Sequence, residues 1–164
     1  MSTRVYVAAG SNVDPVANLR RAVAALRAAF PGAVVSRAYS NTAVGFEGED
    51  FVNLVAGFDT DASLADVLAV LHAIEAQCGR PREAPKWAPR SMDLDVLLFG
   101  DRVGEFPGAK LPRPDLLKRA YMLGPLAEIA PDVVHPTLGV TIGELWQRFD
   151  RAAHPMTPVD GFDA

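Results

Sequence analysis

The sequence has few of the residues that stabilise disulfide-linked or metal-linked folds. Cys78 is the single cysteine, which excludes an internal disulfide and a thiolate metal cluster. The three histidines are scattered, without the spacing of metal ligands. No apolar run is long enough to cross a bilayer, and no signal segment follows Met1. We therefore expect a cytoplasmic protein that has no membrane partner.

An excess of positive charge is also missing. The chain has 16 basic and 20 acidic residues, a net charge of −4 and a pI near 5.3. Nucleic-acid-binding domains are broadly basic, so we expect no nucleic-acid partner, and any anion site must be local. One short segment combines four cations with a single acid: Arg80, Arg82, Lys86 and Arg90. Such a run fits a solvated loop as well as a phosphate site until its neighbours are considered.

Apolar residues are plentiful enough for one core. They make up 49% of the 164 residues, which suits a single domain. We expect this domain to span residues 1–150, with a loose tail at 151–164. Nothing in the sequence indicates an obligate interface, so a monomer is expected.

The spacing of apolar residues predicts the order β-α-β-β-α-β through Phe99. Strands are expected at 4–9, 33–39, 51–59 and 93–99, and helices after Asp14 and after Ser63. Gly10-Ser11-Asn12 is expected to turn the first strand toward its helix. Two short helices should follow, at 122–129 and 142–149, the second capped by Thr141. This order favours an α+β fold, a ferredoxin-like sandwich with a mainly antiparallel sheet covered by helices.

The most informative segment is 86–97, where two carboxylates stand at the start of an apolar strand. Asp93 and Asp95 are two residues apart, so they should share one face while Leu94 faces the core. Two adjacent carboxylates suit Mg²⁺, and the planar guanidinium of Arg90 suits phosphate. An isolated pair is more often two solvated acids on an edge strand. The nearby cations favour a metal-phosphate site here.

The same segment resembles, position by position, the signature of the 6-hydroxymethyl-7,8-dihydropterin pyrophosphokinases. These folate-pathway enzymes transfer pyrophosphate from ATP to a pterin alcohol. Weaker matches run from Gly10-Ser11-Asn12 to the stretch at 126–131. The resemblance implies the same α+β sandwich, ATP as co-substrate, two Mg²⁺ ions and a hydroxymethyl dihydropterin as acceptor.

The resemblance also implies roles for individual residues. The pterin positions are Asn41, Thr42, Ala43, Val44, Phe51, Asn53 and Tyr121. The ATP positions include the four cations of the basic segment at 80–90. The full set is His72, Glu75, Arg80, Arg82, Lys86, Trp87, Arg90, Arg113 and Arg119. The catalytic set is Arg80, Arg90, Asp93 and Asp95, of which Asp93 and Asp95 hold metal. On residue type alone, Phe51 and Tyr121 are core aromatics, Trp87 fits a loop anchor equally well, and Glu75 with Arg119 could form a structural ion pair.

Several positions depart from the usual family pattern. Asn41 and Ala43 replace a threonine and a proline, His72 replaces a glutamine, and Arg113, followed by Pro114, replaces a histidine. These changes leave other functions open. The chain could be a non-catalytic relative that senses nucleotide or pterin, or a pyrophosphokinase with a modified acceptor. A ferredoxin-like nucleic-acid module is disfavoured by the acidic balance.

Overall fold

The computed structural model describes residues 2–41, 51–78 and 92–159. The strands are β1 (Thr3–Ser11), β2 (Val34–Val35), β3 (Tyr39–Asn41), β4 (Phe51–Thr60), β5 (Asp93–Phe99), β6 (Gly104–Phe106), β7 (Ala109–Leu111) and β8 (Thr157–Pro158). The helices are α1 (Pro15–Ala29), α2 (Leu64–Gln77), α3 (Ala120–Ile129) and α4 (Ile142–Arg148), with a 3₁₀ turn at Pro114–Leu117. None of the helices in these ranges has the length and apolar character needed to cross a bilayer.

The main sheet has the order β5-β1-β4-β3-β8, with β2 pairing β4 beside β3, and each of these pairs is antiparallel. The chain order β-α-β-β-α-β and the central position of β1 confirm the predicted ferredoxin-like α+β fold. The β6-β7 hairpin was not predicted. It forms a separate small sheet after β5.

The sheet lies between two layers of helices because side chains alternate along each strand. Val5 and Val7 of β1 belong to the core that includes Leu26 of α1 and Leu71 of α2. Tyr6, Ala8 and Val55 belong to a second core with Leu123 and Leu126 of α3 and Ile142 of α4. The sheet therefore has an α1/α2 face and an α3/α4 face.

The first strand is longer than predicted. β1 continues through Gly10 to Ser11, so Gly10 lies in the sheet and not in a turn. The turn begins at Ser11, whose hydroxyl donates to the Val13 carbonyl at 3.0 Å. Asp14 stands at the N-cap of α1 with φ 40°, but its side chain makes no capping bond within the described residues. The predicted caps at Ser63 and Thr141 are confirmed.

The strand predicted at 33–39 is divided into β2 and β3. Val35 pairs with Ala56 and Tyr39 with Asn53, so this strand has one residue more than β4 over the same stretch. Such an extra residue is a β-bulge. Buried Ser36 completes the ladder with its side chain, because its hydroxyl accepts from the Val55 amide at 2.9 Å.

The stretch expected to be a loose tail joins the sheet. Residues Thr157–Pro158 form β8 against Tyr39 and Ser40, and the Val159 amide donates to the Ala38 carbonyl at 2.9 Å. Met156, which directly precedes β8, packs closely on α3, since a Cβ at Gly124 would lie 2.9 Å from the end of its side chain. A two-residue strand has no detectable periodicity. Its position is determined by the edge that β3 offers.

Replacing Ser36 tests the bulge. Ser36→Ala leaves the buried Val55 amide without its acceptor, and the expected loss in free energy of unfolding is about 1–3 kcal/mol. Urea denaturation followed by circular dichroism measures it. Ser2→Ala, at an exposed position before β1, is the control. Equal midpoints for the two variants would contradict the assigned role of the Ser36 hydroxyl.

Candidate active site

One row of residues crosses the α3/α4 face of the sheet. Gly10 of β1 pairs with Asp93 of β5 on one side and with Asn53 of β4 on the other. Asn53 in turn pairs with Tyr39 of β3. Partners in antiparallel pairs point to the same face, so the row Asp93-Gly10-Asn53-Tyr39 presents its side chains together. A carboxylate, an amide and a phenol therefore occupy one polar line across the sheet.

Gly10 leaves space inside this row. A Cβ at that position would lie 2.5 Å from Oδ1 of Asn53, which is closer than two such atoms can approach. Asn53 is buried, with 6% of its surface exposed. The missing side chain at Gly10 thus creates the room in which the Asn53 amide group lies. It also leaves a gap between Asn53 and Asp93 on the sheet surface.

Asp95 occupies the next row and pairs with Ala8. Its Oδ1 lies 3.5 Å from Nη1 of Arg113, and Nη2 of the same arginine lies 3.7 Å from Oδ2 of Asp115. Arg113 immediately precedes the 3₁₀ turn and is held by its backbone amide, which donates to the Leu97 carbonyl at 3.0 Å. Within the described ranges, the buried Nε of Arg113 has no hydrogen-bond partner. The arginine therefore has donor capacity left for an anionic ligand.

Tyr121 lies near both aspartates. It is in the first turn of α3 and is half-buried. Burial raises the pKa of its phenol, Arg119 opposes this rise, and the negative charges of Asp115, Asp95 and Asp93 add to it. All three carboxylates and Arg119 are therefore close enough to the Tyr121 phenol to act on it electrostatically. An aromatic ring, a cation and a carboxylate pair thus meet at one end of α3.

The donor set fits a hard divalent cation. Asp93 and Asp95 point to the same face and are partly exposed. Among the described residues, no group of three or more Asp, Glu, His or Cys side chains could hold a metal ion. Mg²⁺ is commonly bound through one or two carboxylates, with water and phosphate oxygens completing its shell. The pair therefore suits a Mg²⁺ whose remaining ligands are water and polyphosphate oxygens.

Two predicted ATP residues lie apart from this group. His72 is exposed on α2, and Glu75 is on the same helix, which packs on the opposite face of the sheet. Oε2 of Glu75 accepts from the Leu94 amide at 2.8 Å, which satisfies a donor of strand β5. Arg119 is exposed at the N-cap of α3. Glu75 and Arg119 are thus carried by helices on different faces, and the structure gives Glu75 a backbone partner that the sequence did not indicate.

The remaining predicted residues divide between described and undescribed parts of the chain. Phe51 begins β4 and is half-buried on the same face as Asn53. Asn41 ends β3, where its backbone pairs with Phe51. Eight predicted positions lie outside the described residues: Thr42, Ala43, Val44, Arg80, Arg82, Lys86, Trp87 and Arg90. Their roles stay predictions.

Two contributors were missed by sequence reasoning. Gly10 was assigned to a turn, although a glycine directly after an apolar strand also signals a close approach within the sheet. Asp115 follows Arg113 by two residues, and their ion pair depends on the 3₁₀ turn, which leaves no clear pattern in the sequence. Glu128 lies in the predicted family stretch without an assigned role. Its carboxylate accepts hydrogen bonds from the Arg37 amide and the Tyr39 hydroxyl.

The fold and the site together define an α+β protein of ferredoxin-like order with an acidic pair, a cation and an aromatic ring on one sheet face. The chain belongs to the 7,8-dihydro-6-hydroxymethylpterin-pyrophosphokinase (HPPK) family, whose model matches residues 6–131. This finding confirms the resemblance seen in the sequence. The family uses ATP as co-substrate.

Individual relatives support membership of this family. The chain is 40% identical over 141 residues to the 2-amino-4-hydroxy-6-hydroxymethyldihydropteridine pyrophosphokinase of Pseudomonas aeruginosa, covering 83% of this chain and 86% of that protein. The protein of the same name from Synechocystis sp. is 39% identical over 157 residues, covering 93% and 80%. The structure of wild-type Plasmodium falciparum HPPK-DHPS matches 90% of this chain with a TM-score of 0.69 at 13% identity, which supports the fold alone. This chain spans 41% of that longer one.

Two substitutions test whether Glu75 stabilises strand β5 through its bond to the Leu94 amide. Glu75→Ala removes the acceptor of the Leu94 amide, so we expect about 1–2 kcal/mol less free energy of unfolding. Glu75→Gln keeps an acceptor oxygen and should lose much less. Chemical denaturation measures both variants. Equal losses for alanine and glutamine would show that the charge matters and that the bond to Leu94 does not.

Proposed function

We propose that this chain transfers pyrophosphate from ATP to the hydroxymethyl group of 6-hydroxymethyl-7,8-dihydropterin, releasing AMP, as a step of folate biosynthesis. The observation that carries the proposal is the polar row on the α3/α4 face. The row and its neighbours combine groups suited to a flat heterocycle, Asn53 of the row and Tyr121 of α3, with groups suited to a metal-bound polyphosphate. The latter are Asp93 of the row and Asp95 of the next row. Membership of the family and the names of the relatives support the same reaction.

The phosphate half of the site uses the carboxylates and Arg113. Asp93 and Asp95 would hold Mg²⁺, for which we propose two ions. When bound, Mg²⁺ would neutralise charge on the phosphate oxygens. Arg113 is already held beside Asp95 at 3.5 Å, and its Nε, which has no partner among the described residues, leaves a donor for phosphate. The cation that replaces the usual histidine therefore remains suited to binding ATP.

The pterin half uses aromatic and amide groups. Phe51 and Tyr121 would contact the ring faces, because offset stacking recognises a flat heterocycle at low cost. Asn53 offers both a donor and an acceptor to the ring edge. Gly10, its neighbour in the row, has no side chain and so leaves space above the sheet at this point. The predicted loop positions Asn41 to Val44 would complete the pocket.

Catalysis would consist mainly of positioning and charge neutralisation. The pterin alcohol oxygen attacks the β-phosphorus of ATP, the bond to the α-phosphate oxygen breaks, and AMP leaves. We assign the acceptance of the alcohol proton to Asp93, because it is next to Gly10 in the row that also carries Asn53. Arg80 and Arg90 are proposed to stabilise charge on the transferring group.

The direct test is a reaction mixture of protein, ATP, Mg²⁺ and 6-hydroxymethyl-7,8-dihydropterin. We expect AMP and the pterin diphosphate in equal amounts, with no AMP when the pterin is left out. AMP formation without a pterin product would point to ATP hydrolysis. Binding of both ligands without AMP would favour the non-catalytic alternative.

We also propose that the protein acts as a cytoplasmic monomer with a single catalytic domain. The free Cys78 is buried in the α1/α2 core, which suits a reducing compartment. Size-exclusion chromatography with light scattering tests the oligomeric state.

Asp95→Asn tests the metal assignment. The amide keeps the shape of the side chain but is a poorer ligand for Mg²⁺, so MgATP affinity should fall about tenfold or more. Asp115→Asn is the matched control, since it removes the other carboxylate that pairs with Arg113. It should change affinity by less than about threefold. Calorimetric titration with MgATP compares the variants, and wild-type affinity in Asp95→Asn would refute the assignment.

Asn53→Ala and Gly10→Ala test the pterin half. Removing the amide should cost about 1–3 kcal/mol of pterin binding, or roughly ten- to a hundredfold in affinity. Gly10→Ala should weaken binding because its Cβ displaces Oδ1 of Asn53. The double variant should then bind no more weakly than Asn53→Ala alone. Fluorescence titration with the pterin, in the presence of a non-hydrolysable ATP analogue, measures all three, and additive losses would contradict a shared mechanism.

A further inference from the structure

Glu128 makes two contacts that the proposed chemistry does not use. It lies in the last turn of α3, one residue before the helix ends at Ile129. Its Oε2 accepts from the Arg37 amide at 2.6 Å, and its Oε1 accepts from the Tyr39 hydroxyl. Both carboxylate oxygens therefore bond to the segment that ends in β3. Glu128 is 89 residues from Tyr39 in sequence, so these bonds join two distant parts of the chain.

The position of Glu128 on its helix is unfavourable without such partners. The C-terminal end of a helix carries partial negative charge, which repels a carboxylate in the last turn. Glu128 is also exposed, and exposed charges contribute little to stability. Burial and the bond to Glu128 together raise the pKa of Tyr39 to about 12, while Arg37 opposes the rise. The phenol therefore keeps the proton that it donates to Glu128.

The same helix carries Tyr121 at its other end. Seven residues separate Tyr121 from Glu128, which is about 10 Å along a helix axis. Tyr121 lies within electrostatic range of Asp93 and Asp95 of β5, whereas Glu128 bonds to β3. Three strand spacings separate β5 from β3, or about 14 Å. Helix α3 therefore crosses the strands, with its N-terminal end at the aspartates and its C-terminal end at β3.

The residue that Glu128 contacts belongs to the polar row. Tyr39 pairs directly with Asn53, and β3 is held on its other side by β8. A shift of the C-terminal end of α3 relative to β3 would therefore change the distance between Tyr121 and Asn53. These two side chains are the proposed contacts to the face and the edge of the pterin ring.

We propose that Glu128 is a positioning residue that holds the end of α3 against β3 and so maintains the gap between Tyr121 and Asn53 in which the pterin ring binds. The inference rests on the proposed function. Glu128 touches neither substrate, and it acts through Tyr39 and α3. Its loss should weaken pterin binding while leaving the binding of MgATP unchanged.

The test is Glu128→Ala in the full chain, with three readouts. The KM for the pterin should rise about tenfold, since small displacements of binding groups have large effects. The KM for ATP should stay within about twofold, because Asp95 and Arg113 do not contact Glu128. The melting temperature should change little, as expected for an exposed group. Glu128→Gln retains one acceptor and one donor, so it should restore most of the pterin affinity.

One further variant is a control, and a second tests the contact between Glu128 and Tyr39. Asp132→Ala removes an exposed carboxylate shortly after α3 and should behave as wild type. Tyr39→Phe should raise the pterin KM, and the double variant with Glu128→Ala should be no worse than Glu128→Ala alone. A wild-type pterin KM in Glu128→Ala, or an equal rise in both KM values, would overturn the positioning role. Absence of AMP and of pterin binding in the wild-type protein would instead overturn the proposed function, and with it this inference.

Discussion

The antiparallel register of β1 with its two neighbours determines where the functional side chains lie. Gly10 pairs with Asp93 and Asn53 at once, so the carboxylate and the amide belong to one row. A shift of one residue in either pairing would turn every side chain of the shifted strand to the other face. A shift of β5 would place Asp93 and Asp95 in the α1/α2 core. That core contains their chain neighbours Leu94 and Val96, so the observed register is strongly favoured.

Helix α3 adds the second half of the site from a different part of the chain. Its buried residues pack on the sheet through Leu123 and Leu126, and Tyr121 is carried to the aspartates as a consequence. Because α3 crosses the strands, its two ends contact different edges of the site. The arrangement links the proposed phosphate group, where Arg113 and Asp95 form an ion pair, to β3, whose Tyr39 pairs with Asn53. A single packed helix therefore contacts both edges of the candidate site.

Much of the fold was predictable because its signals are local. The alternation of Asp93, Leu94 and Asp95 indicated a strand with a polar and an apolar face, and the structure has this strand as predicted. The cap residues Ser63 and Thr141 marked two helix starts correctly. The break at Ser36 and the C-terminal strand were missed, since both depend on hydrogen bonds to strands distant in sequence. Short strands of two or three residues have no periodicity from which they could be detected.

The sequence by itself determined the order of the elements, the acidic pair on one face of β5 and the membership of a pyrophosphokinase family, because each depends on residues close together in the chain. The tertiary structure determined which other residues they contact. Pairing across β1 placed Asn53 beside the space at Gly10, the turn after β7 brought Arg113 to Asp95, and Glu128 reached Tyr39. Such contacts join positions separated by tens of residues, and they form because burial of the two cores fixes the strands and helices relative to one another.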